Sequence, residues 1–250
     1  MADSRLYGLI GGSLEHSFSA AYFNSKFEKE NINASYENFE VAKTSDIKAL
    51  FKDQKNLSGL NVTFPYKEDI IPYLDELSED AKEISAVNVI EFKKGLKIGH
   101  NTDAPAFAQS LSEVIPSLKD RTALILGYGG ASRAIEYALN KLDLKTQLVS
   151  RKTLHKIDVI DYKQLKESGM HQYGLIVNCT PLGTYPHIET MVDIPYDQLS
   201  IQHFMYDLVY NPEVSSFLKE GLKKGIRTKN GSEMLKLQAE LSWQIWNRKE

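Results

Sequence analysis

A glycine-rich turn is the segment of this sequence with the most specific chemical use. Residues 124–139 read LILGYGGASRAIEYAL, an apolar run followed by a turn and then by good helix formers. Gly127, Gly129 and Ser132 occupy the three positions of a G-x-G-x-x-G motif, with serine in the last one. Gly127 allows a tight turn, and Gly129 lets backbone N–H groups approach a pyrophosphate at the helix N-terminus. The segment predicts a dinucleotide site, although glycine turns between a strand and a helix are also common without a ligand.

The residues after the next predicted strand distinguish between the two common dinucleotides. NAD sites place a carboxylate about 20 residues after the glycines, where it binds the ribose 2′-hydroxyl. This sequence has Ser150, Arg151 and Lys152 there instead. Guanidinium and ammonium groups attract a 2′-phosphate, which a carboxylate would repel. The three residues therefore favour NADP, and a solvated loop is the alternative interpretation.

Polar residues in the first part of the chain form a second candidate site, because each group follows a predicted strand. Ser17 and Ser19 carry hydroxyls that can hydrogen-bond a carboxylate, and Thr63 lies near the end of another strand. Lys67 follows the same strand after Pro65, and Asp103 stands at the beginning of a predicted helix. Each residue taken alone has an ordinary alternative: the serines and Asp103 as helix caps, and Lys67 as a surface lysine.

Composition excludes several classes of protein. The chain has 250 residues, 42% of them hydrophobic and 25% charged, as is typical of a globular protein. A net charge of −3 gives no electrostatic case for a nucleic-acid partner, and no apolar run approaches the ~20 residues of a membrane span. One cysteine, Cys179, excludes an internal disulfide, and six scattered histidines predict no metal site. The start of the chain lacks the pattern of a signal peptide, so we expect a cytoplasmic protein.

The elements that must position these residues alternate between strands and helices. This alternation predicts an α/β fold of two domains: an N-terminal α/β domain with a mainly parallel sheet, and a Rossmann-type dinucleotide-binding domain. We place the boundaries near Asp103 and Gly231, so that residues 1–103 and 231–250 form the first domain and 104–230 the second. The last helix then returns to the first domain. Strands are predicted at 6–12, 34–41, 57–64, 122–127, 146–150, 174–180 and 204–210, a hairpin at 86–101, and helices at 19–30, 75–85, 131–142, 213–224 and from Ser232.

Several of these motifs together resemble the shikimate dehydrogenase family. They are HSFS at 16–19, NVTFPYK at 61–67, AVN at 86–88, NTD at 101–103, GYGGASR at 127–133 and NGSEMLKLQ at 230–238. They occur in the family's order and extend from Gly11 to Gln238. The resemblance implies reduction of 3-dehydroshikimate to shikimate with NADPH, a step of chorismate and aromatic amino acid biosynthesis. It also implies that the first domain, with the last helix, binds the substrate.

The resemblance assigns roles to individual residues of this chain. The catalytic pair is Lys67 and Asp103. The residues matched to substrate binding are Ser17, Ser19, Thr63, Asn88, Asp103, Tyr210 and Gln238. Those matched to the cofactor are Gly127, Tyr128, Gly129, Gly130, Ala131, Ser150, Arg151, Lys152, Leu208 and Gly231.

Some positions depart from the family pattern, and the sequence leaves more than one function open. Ser13 and Ala20 replace prolines, His155 replaces an arginine that follows the 2′-phosphate stretch, and Thr184 stands where a methionine is common. A quinate or dual quinate/shikimate dehydrogenase shares nearly every motif. A non-catalytic ligand sensor of the same fold is another alternative, but the presence of both Lys67 and Asp103 argues against it. A different two-domain NADP enzyme, such as a methylene-tetrahydrofolate dehydrogenase, does not suit the paired serines and the terminal glutamine motif. We expect a small-molecule substrate, no nucleic acid or membrane, and a monomer or homodimer.

Overall fold

The computed structural model describes residues 4–15, 17–53, 56–118, 121–151 and 159–248. They fold into two compact units, one within residues 1–102 and 239–250 and the other within residues 103–238. Each unit contains its own six-stranded sheet.

The first sheet is mixed and has the strand order β2-β1-β3-β5-β6-β4. Its strands are β1 (Arg5–Gly11), β2 (Ala34–Glu40), β3 (Leu57–Val62), β4 (Glu76–Leu77), β5 (Val89–Lys93) and β6 (Leu96–His100). Strand β1 runs parallel to β2 and β3, whereas β5 is antiparallel to β3 and to β6. The predicted hairpin is confirmed: Lys94 and Gly95 turn the chain between β5 and β6 with φ of 51° and 81°.

Three helices and the end of a fourth cover this sheet: α1 (Phe18–Lys29), α2 (Ile47–Asp53), α3 (Glu79–Ile84) and the last turns of α8 (Ser232–Asn247). Phe23 and Phe27 of α1 are buried, and both pack in one apolar cluster with Tyr7 of β1. Trp243 and Trp246 of α8 complete that cluster. The aromatic rings therefore attach α1 and the end of α8 to the same face of the sheet.

The second sheet is parallel throughout and has the strand order β12-β11-β10-β7-β8-β9. Its strands are β7 (Thr122–Leu126), β8 (Thr146–Val149), β9 (Val159–Ile160), β10 (Tyr173–Asn178), β11 (Phe204–Asp207) and β12 (Arg227–Lys229). The helices of this unit are α4 (Asp103–Leu111), α5 (Gly130–Lys141), α6 (Tyr162–Ser168), α7 (Ser216–Lys223) and the beginning of α8. Counted from β7, the order is 6-5-4-1-2-3, which is that of dinucleotide-binding sheets. The predicted fold class is confirmed.

Two predicted helices are shorter than expected. The prediction of one helix over 75–85 is wrong, because Glu76–Leu77 pair with β6 as strand β4 and the Ser78 side chain then caps α3. The second helix begins at Ser216 rather than at Glu213, because the Ser215 hydroxyl accepts the N–H of Leu218 and caps α7. Each helix therefore begins where a serine side chain takes up a free backbone N–H.

A predicted strand is also shorter than expected, whereas the last helix begins at the predicted residue. The strand predicted at 204–210 ends at Asp207, whose side chain turns the chain back by accepting the N–H of Val209 at 3.0 Å. Ser232 is the first residue of α8 rather than a cap before it, and the side chain of Asn230 accepts the Ser232 N–H at 3.1 Å. Within the described ranges, none of the helices has the length and apolar character that crossing a membrane requires.

Candidate active site

One edge of the first sheet gathers the candidate polar residues of that unit. Thr63 and Lys67 follow the end of β3, and Asn88 precedes the antiparallel strand β5, so all three lie at this edge. The backbone N–H of Thr63 donates to Ile10 of β1 at 2.9 Å, and that of Val87 donates to the carbonyl of Lys67 at 2.7 Å. These bonds join the separate strand ends into one framework.

Ser17 and Ser19 begin α1 after the turn that follows β1. Ser17 is the N-cap, and its hydroxyl oxygen accepts the N–H of Ser19 at 3.3 Å. Ser19 is buried, with its hydroxyl against Tyr36, whose pKa is raised by burial. The cap interpretation therefore holds for Ser17 as a structural fact. A hydroxyl that accepts one hydrogen bond can donate another through its proton.

Asn88 belongs to a buried polar network. Its amide nitrogen donates to the Thr102 hydroxyl at 2.9 Å, and its amide oxygen accepts the Thr102 N–H at 2.7 Å. Asn61 donates to the carbonyl of Asn88 at 3.2 Å and to Ser242 of α8 at 3.0 Å. The hydroxyl of Tyr36 donates to Asn61 at 2.8 Å. These bonds fix the rotamer of Asn88, and sequence reasoning had no means of finding its link to Thr102.

Lys67 lies in a tightly held segment. Tyr66, which is buried, donates its N–H to Thr63 at 2.9 Å and its hydroxyl to the carbonyl of Val41 at 2.5 Å. The side chain of Lys67 is half-buried. The position of its backbone is therefore fixed on both sides, by Tyr66 and by the bond to Val87.

The carboxyl edge of the second sheet gathers the candidate cofactor residues, because all its strands are parallel. Gly127 follows β7, Ser150 follows β8, Leu208 follows β11 and Gly231 lies shortly after β12. Strands β7 and β10 are neighbours at the point where the strand order reverses. Ligands of open α/β sheets bind at this point, outside the carboxyl ends of the strands.

The glycine turn has the geometry that a pyrophosphate requires. Gly127 has φ of +121°, where a side chain would be strained, and a Cβ there would lie 3.2 Å from the Ser132 hydroxyl. Gly129 is the N-cap of the 12-residue helix α5. Apart from its neighbours along the chain, no described residue has an atom within 4 Å of a Cβ built on Gly129. An open approach to the N-terminus of a helix fits a phosphate group.

Residues around the turn complete this end of the sheet. Ser132 is buried and accepts the N–H of Gly129 at 3.4 Å, so it packs where a third glycine is more usual. The guanidinium of Arg133 lies 5.6 Å from the centre of the Tyr128 ring, which adds positive charge near the helix N-terminus. Ser150 is buried and Arg151 is exposed. Lys152 and His155 lie outside the described residues.

Leu208 and Gly231 approach each other closely. A Cβ on Gly231 would lie 2.2 Å from the carbonyl oxygen of Leu208, so only glycine fits beside this turn. Tyr210 and Gln238 are half-buried, and the Gln238 amide donates to the carbonyl of Leu235 at 3.0 Å. Asp103 is buried and is the first residue of α4.

Sequence reasoning missed a buried carboxylate at the same edge. Asp207 ends β11 and is fully buried, with Asn178, Val209 and Ser215 donating hydrogen bonds to it. Burial raises its pKa to about 6. A polar residue that ends an apolar strand, as Asn178 and Asp207 do, is the signal that could have found it.

A parallel sheet of this order with an open glycine turn is typical of a dinucleotide-binding domain, and the first unit adds a framework of polar strand ends. Residues 9–90 match the family model described as "Shikimate dehydrogenase substrate binding domain". A shikimate dehydrogenase (NADP+) of Methanococcus maripaludis is 37% identical, over 100% of this chain and 95% of that protein. The chain belongs to the shikimate dehydrogenase family, as its motifs predict.

Solved structures agree with this membership. The shikimate dehydrogenase of Aquifex aeolicus is similar with a TM-score of 0.87 at 34% identity, over 99% of this chain and 94% of the other. The shikimate 5-dehydrogenase of Thermus thermophilus, solved with NADP(H) and shikimate, has a TM-score of 0.84 at 27% identity, over 97% and 93% of the two chains. Both similarities cover nearly the whole length of each chain, so they include both sheets.

Proposed function

We propose that this chain catalyses the reversible, NADP-dependent reduction of 3-dehydroshikimate to shikimate, a step of chorismate biosynthesis. The observation that carries the proposal is the open glycine turn at the switch point of a dinucleotide-binding sheet, in a chain whose relatives are NADP-dependent shikimate dehydrogenases. We assign substrate binding to residues 1–103 and 231–250 and NADP binding to residues 104–230. The two compact units support a boundary near Asp103, but their second boundary lies within α8, after Gln238 rather than at Gly231.

Substrate binding rests on hydroxyl and amide groups. Ser17 and Ser19 would bind the carboxylate of shikimate at the start of α1, where the free N–H groups of the first turn also favour an anion. The proposed contacts to the ring and its hydroxyls are Thr63, Asn88, Asp103, Tyr210 and Gln238. The fixed rotamer of Asn88 supports this role, because a preorganised group loses little conformational entropy on binding.

The proton is handled by Lys67 and Asp103. Bound NADPH supplies the hydride. A lysine is protonated at neutral pH, so Lys67 can stabilise the negative charge on the substrate oxygen and donate a proton to it. Asp103 would orient that lysine and bind a substrate hydroxyl. In the oxidative direction, Lys67 takes the proton back.

Three groups of residues would each bind a different part of the cofactor. The turn from Gly127 to Ala131, with Tyr128, Gly129 and Gly130, would bind the pyrophosphate at the N-terminus of α5. Ser150, Arg151 and Lys152 would bind the 2′-phosphate. Leu208 and Gly231 would contact the nicotinamide end. The close approach of Leu208 and Gly231 supports a shared role, because each backbone limits where the other can lie.

Two finer points belong to the same proposal. We place the protein in the cytoplasm, where the soluble substrates of this pathway are made. We also propose that it acts as a monomer or homodimer.

The test is a set of initial rates, measured from the absorbance at 340 nm of the NADPH or NADH that forms. Shikimate and quinate are each supplied with NADP and with NAD, and Lys67→Ala serves as the inactive control. We expect activity with shikimate and NADP, and the loss of it in the variant. A preference for quinate would favour a quinate dehydrogenase, and inactivity with every pair would favour a ligand sensor.

A further inference from the structure

Asp207 is a buried carboxylate that the proposed reaction does not use. It ends β11 and lies one residue before Leu208 and three before Tyr210. Its Oδ1 accepts the N–H of Val209 at 3.0 Å and the side-chain amide of Asn178 at 2.9 Å. Its Oδ2 accepts the hydroxyl of Ser215. The carboxylate therefore binds the turn that begins with the next residue.

The partners of Asp207 connect this turn to its neighbours. Asn178 ends β10, accepts the N–H of Thr180 at 3.0 Å through its side chain, and accepts the N–H of Leu208 at 3.0 Å through its carbonyl. On the other side, the N–H of Gly231 donates to the carbonyl of Val209 at 3.2 Å. The backbone of residues 208 and 209 is thus held by three adjacent turns.

A carboxylate is a costly residue at this position. It is fully buried, and the three groups that donate to it are neutral. An asparagine has the same shape and would avoid the cost of burying a charge. A hydrogen bond to a carboxylate is, however, about twice as strong as one between neutral groups. The charge therefore lowers the folding stability but strengthens the hydrogen bonds that fix the backbone of the turn.

We propose that Asp207 is a positioning residue, which fixes the turn 208–210 so that Leu208 and Tyr210 meet the nicotinamide end and the substrate in the geometry for hydride transfer. This inference rests on the proposed function. The rate of hydride transfer depends on how precisely this turn is placed, because a misplacement of the reacting groups by about 1 Å can lower a rate by about 100-fold.

The test compares two substitutions of Asp207 in the full-length protein. Asp207→Asn keeps the shape and an oxygen for Val209 but removes the charge, whereas Asp207→Ala removes every acceptor. We expect kcat to fall about 3- to 10-fold in Asp207→Asn and by at least 30-fold in Asp207→Ala. The probe 2′,5′-ADP contains the adenosine of NADP with its 2′- and 5′-phosphates and lacks the nicotinamide half. We expect its affinity to stay within twofold of the wild type in both variants, because the residues proposed to bind it do not touch Asp207.

A matched control separates positioning from general stability. Ser215→Ala removes the cap of α7 and one bond to the carboxylate, but it leaves the bond to Val209 in place. We expect it to lower the melting temperature while kcat stays within twofold. Asp207→Asn should show the reverse, with an unchanged or higher melting temperature and a lower kcat. If Asp207→Ala does not fold, this contrast alone decides.

A second readout keeps this proposal distinct from the proposed function. Hydrogen exchange at the Val209 amide measures the hold on the turn without any substrate, and we expect it to be faster in Asp207→Asn than in the wild type. A wild-type protein inactive with shikimate and NADP would contradict the proposed function but leave this measurement intact. Wild-type kcat and wild-type exchange in Asp207→Asn would overturn the role of Asp207, as would an equal loss of kcat and 2′,5′-ADP affinity.

Discussion

Replacing Gly129 by alanine should weaken NADP binding without unfolding the protein. The backbone at Gly129 is extended, with φ of −146° and ψ of −174°, so alanine fits without strain. Apart from its neighbours along the chain, no described residue lies within 4 Å of the added methyl group. The gain from a less flexible unfolded chain is about 0.4–1 kcal/mol, and the loss from a poorer N-cap is about 0.5–1 kcal/mol. These effects offset each other, so the free energy of unfolding should change by less than about 1 kcal/mol.

The same methyl group would occupy the space into which the pyrophosphate is proposed to fit. We expect the Kd for NADP to rise at least tenfold, which corresponds to about 1.4 kcal/mol. Gly174→Ala is the matched control, because Gly174 lies near the beginning of β10. It is therefore at the amino ends of the strands, away from the carboxyl ends where the cofactor is proposed to bind. A Cβ there would lie 2.7 Å from the Cβ of Arg121, and such overpacking typically costs about 1–3 kcal/mol.

Calorimetric titration with NADP and urea unfolding measure the two quantities separately. The predicted pattern is reciprocal: Gly129→Ala loses affinity and keeps stability, whereas Gly174→Ala loses stability and keeps affinity. A Gly129→Ala protein that binds NADP as tightly as the wild type would refute the assignment of the pyrophosphate to this turn.

Four further predictions address the remaining assigned residues and Asp207. Lys67→Ala should lower kcat at least 100-fold with little change in the KM for shikimate, and near-normal turnover would remove this lysine from the mechanism. Replacing Ser17 and Ser19 together by alanine should mainly raise the KM for shikimate, because each lost hydrogen bond to the carboxylate weakens binding by about 1.5–3 kcal/mol. Unchanged shikimate binding in this variant would show that the two serines only serve helix α1. Wild-type kcat/KM should favour NADP over NAD at least tenfold, and Arg151→Ala should erode that ratio through the KM for NADP; equal use of both cofactors by the wild type would contradict it. Because burial raises the pKa of Asp207 to about 6 in the folded chain, the folded state binds the proton more tightly than the unfolded state does. The wild type should therefore lose about 3 kcal/mol of unfolding free energy relative to Asp207→Asn as the pH rises from about 3 to about 7, and parallel stability curves would show that the buried charge costs nothing.

Elements with strong local signals were predictable from the sequence. The turn between β7 and α5 has its glycines at the required spacing, and the hairpin of β5 and β6 has Lys94-Gly95 between two apolar runs. The segment at 75–85 was not predictable in this way. Its charged residues favour a helix, but pairing of β4 with β6, which comes two strands later in the chain, gives part of it to the sheet.

The candidate site divides along the same line. The positions of Lys67 and Gly127 after the ends of strands were predictable, because a strand end and a reactive or conformationally special residue are both visible in the sequence. The links of Asn88 to Thr102 and of Asp207 to Asn178 were not found. The second link exists because β10 and β11 are neighbours in the sheet, and that adjacency depends on the whole topology rather than on local residues.

Transfer of a labelled hydride tests the central claim most directly. Shikimate that carries deuterium on the carbon bearing the oxidised hydroxyl is incubated with the protein and NADP, and the cofactor is then examined by NMR. We predict that the deuterium moves to C4 of the nicotinamide ring and that Lys67→Ala slows its transfer at least 100-fold. Absence of the label from the nicotinamide, with shikimate left unchanged by the wild-type protein, would contradict the assignment of this chain as an NADP-dependent shikimate dehydrogenase.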